Sequence, residues 1–545
     1  MKLGKSPKNT VSVTLLLLML LVAAFIIRLM PLCFSPLPFN NDSLTECEES
    51  SFLIRTGSYA AWEDSLYSDS HSMITPALNL ILAFTCVTLG MSPLQIAQIL
   101  TAIFSMLTVG SLFLLGRLVV GTNIGGLAPA FAALLMGTFV FTSGSAWKEA
   151  LGISLLVFLF WVYPRRNELR YRTLVFVILV VIASVHHLVA AVAFLGMAFL
   201  LVWSWIFAIS FTSIQRRHVA DAVTIIVPIV IGMGYYWYSS LTRLDAVSSP
   251  ISVAMFLSLF VLIALCGYLV MSLRKHTKWS FAPLVGVAFI VVLTLDYFGY
   301  IFDYTPSVSR LYAILIVASG YIIALGWFGT EMIVERRPVY RGVHMSLLVS
   351  PLLVILFAAV SQDADSAHQV AYRAFDFFDL FIFLGMGSAL SFYSIKNARR
   401  YLVLGAVTVA CVLATFPFGY YTADLVGVRH DTQYYELDSV DWIVGHSEST
   451  QIVSDERIGY ISQAMGHVEK RAYLPADLLN NVPLQPGYFY IMEDSWMRGG
   501  VNNYPDGTAV IPTDVFSYTL EDNNVVYVGG DLNDLLRVFW PRHSS

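Results

Sequence analysis

Four carboxylates, Asp42, Glu46, Glu48 and Glu49, crowd into eight residues directly after a long apolar run, in a chain that is 57% hydrophobic and only 13% charged. A positioned carboxylate can take a proton from a hydroxyl, so one of these acids is a candidate general base. Asp42 is the first choice, because it adjoins the end of the apolar run, where helix packing can fix its position. Glu46, Glu48 and Glu49 read as solvated or helix-start residues, with Glu46 the next candidate. The plainer reading of Asn41-Asp42-Ser43 with Glu46 is a helix N-terminus. Asn41-Asp42-Ser43 also fits the N-glycosylation acceptor pattern, which is short enough to recur by chance.

Cations that could meet a phosphate lie elsewhere in the chain. Lys148-Glu149 opens an apolar segment; Lys148 could reach a phosphate, while Glu149 could orient a loop or bind a cation. An adjacent pair of opposite charge can equally be a surface pair of small energy. His186-His187 falls between two apolar segments, as packed residues or as a substrate contact. Arg310 and Arg373 sit near helix ends, where an ionisable group in or at the membrane points to function. Arg373 has Asp376 three residues on as a local partner. A carboxylate for the acceptor proton and cations for a leaving phosphate are the groups needed to move a sugar from a lipid phosphate to a hydroxyl.

These residues need a membrane scaffold to bring them together. Mean hydropathy is +0.69 over 545 residues, and apolar runs long enough for a bilayer core about 30 Å thick recur from Val11 to Tyr421. The runs predict about thirteen spans at 11–32, 94–116, 124–143, 148–163, 173–187, 188–210, 219–239, 251–273, 281–301, 309–330, 344–361, 376–395 and 401–421. Thr75–Gly90 is too short to cross and reads as a helix lying in the interface, part of a first outer loop over 33–93. With that choice every basic loop, from Lys2–Lys8 to Lys396–Arg400, falls on the cytoplasmic side. The N-terminus is then cytoplasmic, and the candidate residues all face outward.

The N-terminal Lys2, Lys5 and Lys8 before an apolar run outline a signal peptide, but no small-residue cleavage site follows, so the run is read as a retained helix. Residues 422–545 change character, with frequent Asp, Asn, Gly and Pro. Ser439–Val444 and Arg457–Met465 look helical, and Gln451–Ser454, Tyr488–Met492 and Asn524–Val528 look like strands. Turns are expected at Asn503–Gly507 and Gly529-Gly530. This predicts a small α/β extracytoplasmic domain over 422–545, capping a transmembrane domain over 1–421. No basic aromatic-rich face suggests nucleic acid. The five cysteines show no metal-ligand spacing; Cys33 and Cys47 could pair or stay free.

The whole pattern resembles the polytopic glycosyltransferases of the C-type (GT-C) fold, which use polyisoprenyl-phosphate-linked sugars. Protein O-mannosyltransferases, lipid A aminoarabinose transferases and, more distantly, oligosaccharyltransferase catalytic subunits belong to this group. Asp42 matches the acid of the first outer loop, Lys148-Glu149 the second loop, and Arg310 and Arg373 the cations at later helix ends. His186-His187 and Ser454-Asp455-Glu456-Arg457 are similar to archaeal members. The resemblance implies inverting transfer from a polyprenyl- or dolichyl-phosphate sugar to a glycan or protein acceptor. Two departures stand out. The tail lacks a Trp-Trp-Asp-Tyr-type signature, which argues against an oligosaccharyltransferase, and the second loop lacks Asp-x-Asp. A reaction needing no cofactor is therefore favoured, with a divalent cation as the alternative. The competing expectation is a secondary transporter or lipid flippase, which would place its polar groups near the bilayer midplane in two related halves.

Overall fold

The computed structural model describes residues 7–35, 37–40, 42–58, 75–209, 216–238, 280–297, 312–360, 364–421, 429–446, 451–464, 470–471, 473–503, 507–530 and 535–541. The expected span 251–273 and Arg310 lie outside these residues. The chain is mainly helical. Seven described helices are long and apolar enough to cross a membrane, or eight if one bent pair counts as a span.

Helix α1 (Pro7–Leu29) turns Leu15, Leu16, Leu18, Met19, Val22 and Ile26 outward, while Ala24 and Arg28 are buried. It packs on α4 (Pro93–Val120), whose start carries a reciprocal Ser92/Gln95 capping box. The expected span 124–143 is instead two helices, α5 (Asn123–Leu135) and α6 (Gly137–Gly144), bent by 72°. The bend leaves carbonyls at the end of α5 that need donors. Arg28 supplies them: Nη1 donates to Leu134 O and Nη2 to Ala133 O, both at 2.7 Å, and Nη2 also reaches Ser143 Oγ at 2.8 Å. At Gly137 a Cβ would lie 1.8 Å from the Thr415 carbonyl, so only glycine lets α6 start there.

Helices α7 (Lys148–Val162), α8 (Leu169–Val185), α9 (His187–Ile209), α10 (Arg216–Tyr238), α11 (Ala282–Tyr297), α12 (Tyr312–Arg336), α13 (Arg341–Val360), α14 (Ala364–Lys396) and α15 (Ala398–Thr415) make up the rest of the bundle among the described residues. Helices α12 and α14 meet through glycine: a Cβ at Gly329 would sit 1.6 Å from Gly385 O. Without a hydrophobic force between helices in lipid, such backbone contact drives association.

Two helices lie over one end of the bundle. Helix α2 (Asp42–Thr56) begins at the candidate base, and α3 (Ala77–Leu89) fills the segment expected to be interfacial. At 13 residues α3 spans about 20 Å, too short to cross. It buries Leu78, Leu82 and Cys86 and exposes Phe84 and Val87. Cys33 and Cys47 are both free, and Cys47 packs beside Cys86.

The tail forms a five-stranded sheet in the order β2-β1-β3-β7-β6, built from β1 (Ile452–Val453), β2 (Lys470–Arg471), β3 (Phe489–Glu493), β6 (Asn523–Gly530) and β7 (Leu535–Pro541). Strands β1, β2 and β3 run parallel; β7 is antiparallel to β3 and β6. Alternation along β3 sends Phe489 and Ile491 to one face and Tyr490 and Met492 to the other. Helices α16 (Tyr434–His446) and α17 (Glu456–Ala464) cover the first face, and α18 (Leu474–Leu479), α19 (Ser495–Arg498) and α20 (Thr513–Asp522) the second. A hairpin, β4 (Val501–Asn503) and β5 (Gly507–Ala509), flanks the expected turn. The turn expected at Gly529-Gly530 is replaced by strand, since both residues pair with β7. Leu44 of α2 is buried in the first-face core with Val440, Ile458 and Ile491. The acid-bearing helix is thus shared between the bundle and the sheet.

Candidate active site

Asp42 is placed by a chain of hydrogen bonds that begins inside the bundle. The Gln98 side chain donates to Arg28 O at 2.6 Å and Gly144 O at 2.8 Å, and its oxygen accepts from Phe39 N at 2.9 Å. Asn40 then turns the backbone at φ 78°, a left-handed value that asparagine tolerates. Its N–H donates to His430 O at 3.1 Å, and its side-chain oxygen accepts from Asp42 N at 3.2 Å. Asp42 follows as the first residue of α2, where the helix dipole favours a carboxylate.

Arg373 joins two acids that are far apart in sequence. Its Nη2 lies 3.3 Å from Asp42 Oδ2 and its Nη1 3.2 Å from Glu149 Oε1. The guanidinium also stands 5.4 Å from the Trp147 ring centre. Burial alone would lower the Arg373 pKa, but Glu149 and Asp42 outweigh it and hold the guanidinium charged, well above its ordinary value. Glu149 is 4% exposed, against a third of the Asp42 side chain, so the Glu149 pair is the firmer anchor and Asp42 the accessible end. His186 Nε2 sits 3.3 Å from Glu149 Oε1, and the His187 ring lies 4.5 Å from that of His186. The local pair expected between Arg373 and Asp376 gives way to these two longer-range ones. Asp376 accepts instead from Thr142 Oγ1 at 2.8 Å, and Asp379 from Thr138 Oγ1 at 3.1 Å.

Lys148 pairs with acids other than the two on Arg373. Its Nζ lies 3.3 Å from Glu46 and 3.8 Å from Glu49, and Asn79 of α3 donates to Glu49 at 2.7 Å. Glu46, Glu48 and Glu49 are therefore buried and partnered, where sequence suggested solvent; Glu48 takes Arg55 at 2.9 Å. Two carboxylates sharing one ammonium cannot both ionise cheaply. Burial pushes the Glu46 carboxyl up to about 7 against the pull of Lys148. The cluster ties α2, α3 and α7 into one unit beneath Asp42.

The sheet region adds a residue that the sequence did not flag. Helix α17 packs on α2, and Tyr460 lies near Asp42 and Arg373. Burial, with Asp42 and Glu456 beside it, pushes the Tyr460 phenol far above its ordinary value, so it stays a neutral donor. Its only signal in sequence was a place in an expected helix. Among the described residues no three His, Cys, Asp or Glu side chains are grouped to hold a metal ion.

Compared by sequence, the chain matches no family model and no curated protein. Compared by structure, it is similar to the apo oligosaccharyltransferase of Archaeoglobus fulgidus, with 15% identity and a TM-score of 0.50 over 88% of this chain and 69% of that one. It also resembles the mycobacterial arabinofuranosyltransferase AftD, with 13% identity and a TM-score of 0.48 over 96% of this chain but only 40% of that one. An acidic helix over a bundle end, a broken helix pair beneath it and a sheet region docked above it are arranged here as one body. At 15% identity the likeness is one of fold, and that fold is GT-C.

Proposed function

We propose that the chain is a membrane glycosyltransferase that moves a sugar from a polyprenyl- or dolichyl-phosphate donor to a glycan or protein hydroxyl at the extracytoplasmic face, with inversion. The Asp42–Arg373–Glu149 bridge carries this reading. It sets a partly exposed carboxylate beside a guanidinium that a second acid holds in place. A donor phosphate that takes Arg373 frees Asp42. Asp42 then accepts the acceptor's proton, the acceptor oxygen bonds to the anomeric carbon, and the bond from that carbon to the lipid phosphate breaks. The phosphate leaves with the electron pair against Arg373. Arg310 is assigned as a second phosphate cation, with His186 and His187 backing Glu149. Lys148 acts through the loop it braces. The sheet region is the extracytoplasmic α/β domain, the N-terminus is cytoplasmic, and thirteen spans connect them. No step is routed through a metal ion.

The test is transfer from a radiolabelled polyprenyl-phosphate sugar in membranes. Asp42→Asn is expected to slow transfer by about 10²–10⁴-fold, the range for general base loss, and EDTA to leave the wild-type rate unchanged. Wild-type rates from Asp42→Asn would remove the assignment.

A further inference from the structure

Arginines gather where α7 gives way to α8. Helix α7 ends in a short turn, Tyr163–Arg165, and α8 follows at Leu169. The stretch holds Arg165, Arg166, Arg170 and Arg172, with Glu168 among them, and Asp221 of α10 reaches it from the side. A basic loop at the end of a span is what membrane topology asks for, so the number of arginines carries nothing by itself. Their pairing does.

Buried Asp221 serves two guanidiniums. Arg166 Nε donates to its Oδ2 at 3.0 Å, while Arg172 Nη2 stands 3.6 Å from its Oδ1, which accepts no hydrogen bond. One carboxylate between two cations leaves a positive charge over, and Arg172 is the more loosely held. Arg170 takes the exposed Glu168 at 2.7 Å. Arg165 has no acid partner among the described residues; it donates to Trp161 O at 2.6 Å, with its guanidinium 4.2 Å from the Trp161 ring centre. Two donors are also unmet here. Arg172 Nε has no acceptor, and neither has the hydroxyl of buried Tyr163, whose ring centre lies 4.1 Å from the Arg166 guanidinium. Buried donors without acceptors are rare, and each calls for an explanation. Surplus guanidinium charge with open donors suits an anion of several acceptor oxygens, and phosphate is the one whose geometry guanidinium matches.

The surroundings say what carries the phosphate. Leu169 and Val219 are apolar yet exposed at the starts of α8 and α10. The Trp161 and Tyr171 rings stand among the arginines. Aromatic rings and arginines beside exposed apolar side chains mark the headgroup level of a bilayer. Arg166 and Arg172 keep 20% and 25% of their side chains exposed, so a headgroup can meet them from the open surface without a closed cavity. We infer that Arg165, Arg166 and Arg172 form a site for the phosphodiester of an anionic phospholipid headgroup. The leaflet that supplies it, the cytoplasmic one, follows from the orientation proposed above. The headgroup chemistry rests neither on that orientation nor on the glycosyltransferase reading.

Native mass spectrometry of the full chain in detergent, titrated with phosphatidylglycerol or phosphatidylcholine, counts bound lipid. The wild type is expected to hold phosphatidylglycerol about tenfold more tightly than phosphatidylcholine, and Arg172→Gln to hold it about fivefold less tightly than the wild type, the share of one arginine. Arg165→Gln, which breaks no ion pair within the chain, should lose a similar factor, so that a folding defect in one variant cannot stand in for the result. Arg400→Gln, exposed in another basic loop, should leave the affinity unchanged. Equal affinity of the wild type for the two lipids overturns the site. So does an equal loss in Arg400→Gln, the mark of diffuse charge. Displacement of the lipid by an equal concentration of inorganic phosphate would assign the arginines to a soluble anion and overturn the headgroup.

Discussion

Glu149 holds Arg373 from the side away from Asp42, so its charge sets how tightly the guanidinium pairs with the base. In Glu149→Gln, Asp42 becomes the remaining acid on Arg373, and a donor phosphate must break a stronger pair. The donor KM is expected to rise about three- to tenfold with the acceptor KM unchanged. A merely structural defect would lower the active fraction, and so the apparent kcat, without moving either KM. An unchanged donor KM would show that Glu149 does not tune the bridge. Asp42 was singled out in sequence because it adjoins the end of a span, and Arg373 because an ionisable residue at a helix end in the membrane is costly. Their pairing was not legible. Arg373 and Asp42 are 331 residues apart, and the nearer Asp376 looked like the obvious partner. Lys148 misled for a related reason: its buried partners, Glu46 and Glu49, lie on another helix and looked like solvent residues.

At the scale of elements, the sheet and α2 share a core and also a pH sensitivity. Burial, with Glu436 alongside and Arg457 opposing, pushes the Glu493 carboxyl up to about 8. Glu46 is pushed up to about 7 and Asp455 to about 6. A carboxyl with a raised pKa in the folded state stabilises it below the unfolded pKa, and that stability is lost as pH rises through the folded value. His430 works the other way. Burial lowers it from 6.5 to about 4, so its contribution grows with pH only up to about 6.5. Between about 6.5 and 8 the loss therefore stands alone. The melting temperature of the purified chain should fall across that window, and Glu493→Gln should flatten the fall. A flat wild-type profile would refute this. Strands β3 and β6 were legible from alternation and β1 as a short β run, and β4 and β5 flank the turn expected at Asn503–Gly507. Strand β7 was not, since Leu-Leu-Arg-Val-Phe-Trp-Pro has no clean period and gains its place by pairing with both β3 and β6.

For the whole molecule, the proposed orientation rests on the basic loops. In a Cys33→Ser background, Glu521→Cys on exposed α20 should react with a membrane-impermeant maleimide in intact cells. Glu168→Cys, exposed before α8, should react only after permeabilisation. The opposite pattern would invert the topology. The bent pair α5–α6 was read as one straight span because 124–143 is uniformly apolar; its break depends on Arg28, which sequence showed only as the tail of the first span. That arginine bears on how the chain is made. Helix α1 otherwise turns most of its apolar side chains outward, and an arginine near the end of a helix that enters the bilayer by itself keeps its charge at the interface. The residues that receive Arg28, at 133, 134 and 143, emerge from the ribosome about a hundred residues later. Until then its charge must stay near the headgroups, so the first helix to be synthesised is among those that can settle only after α6 has followed it into the membrane.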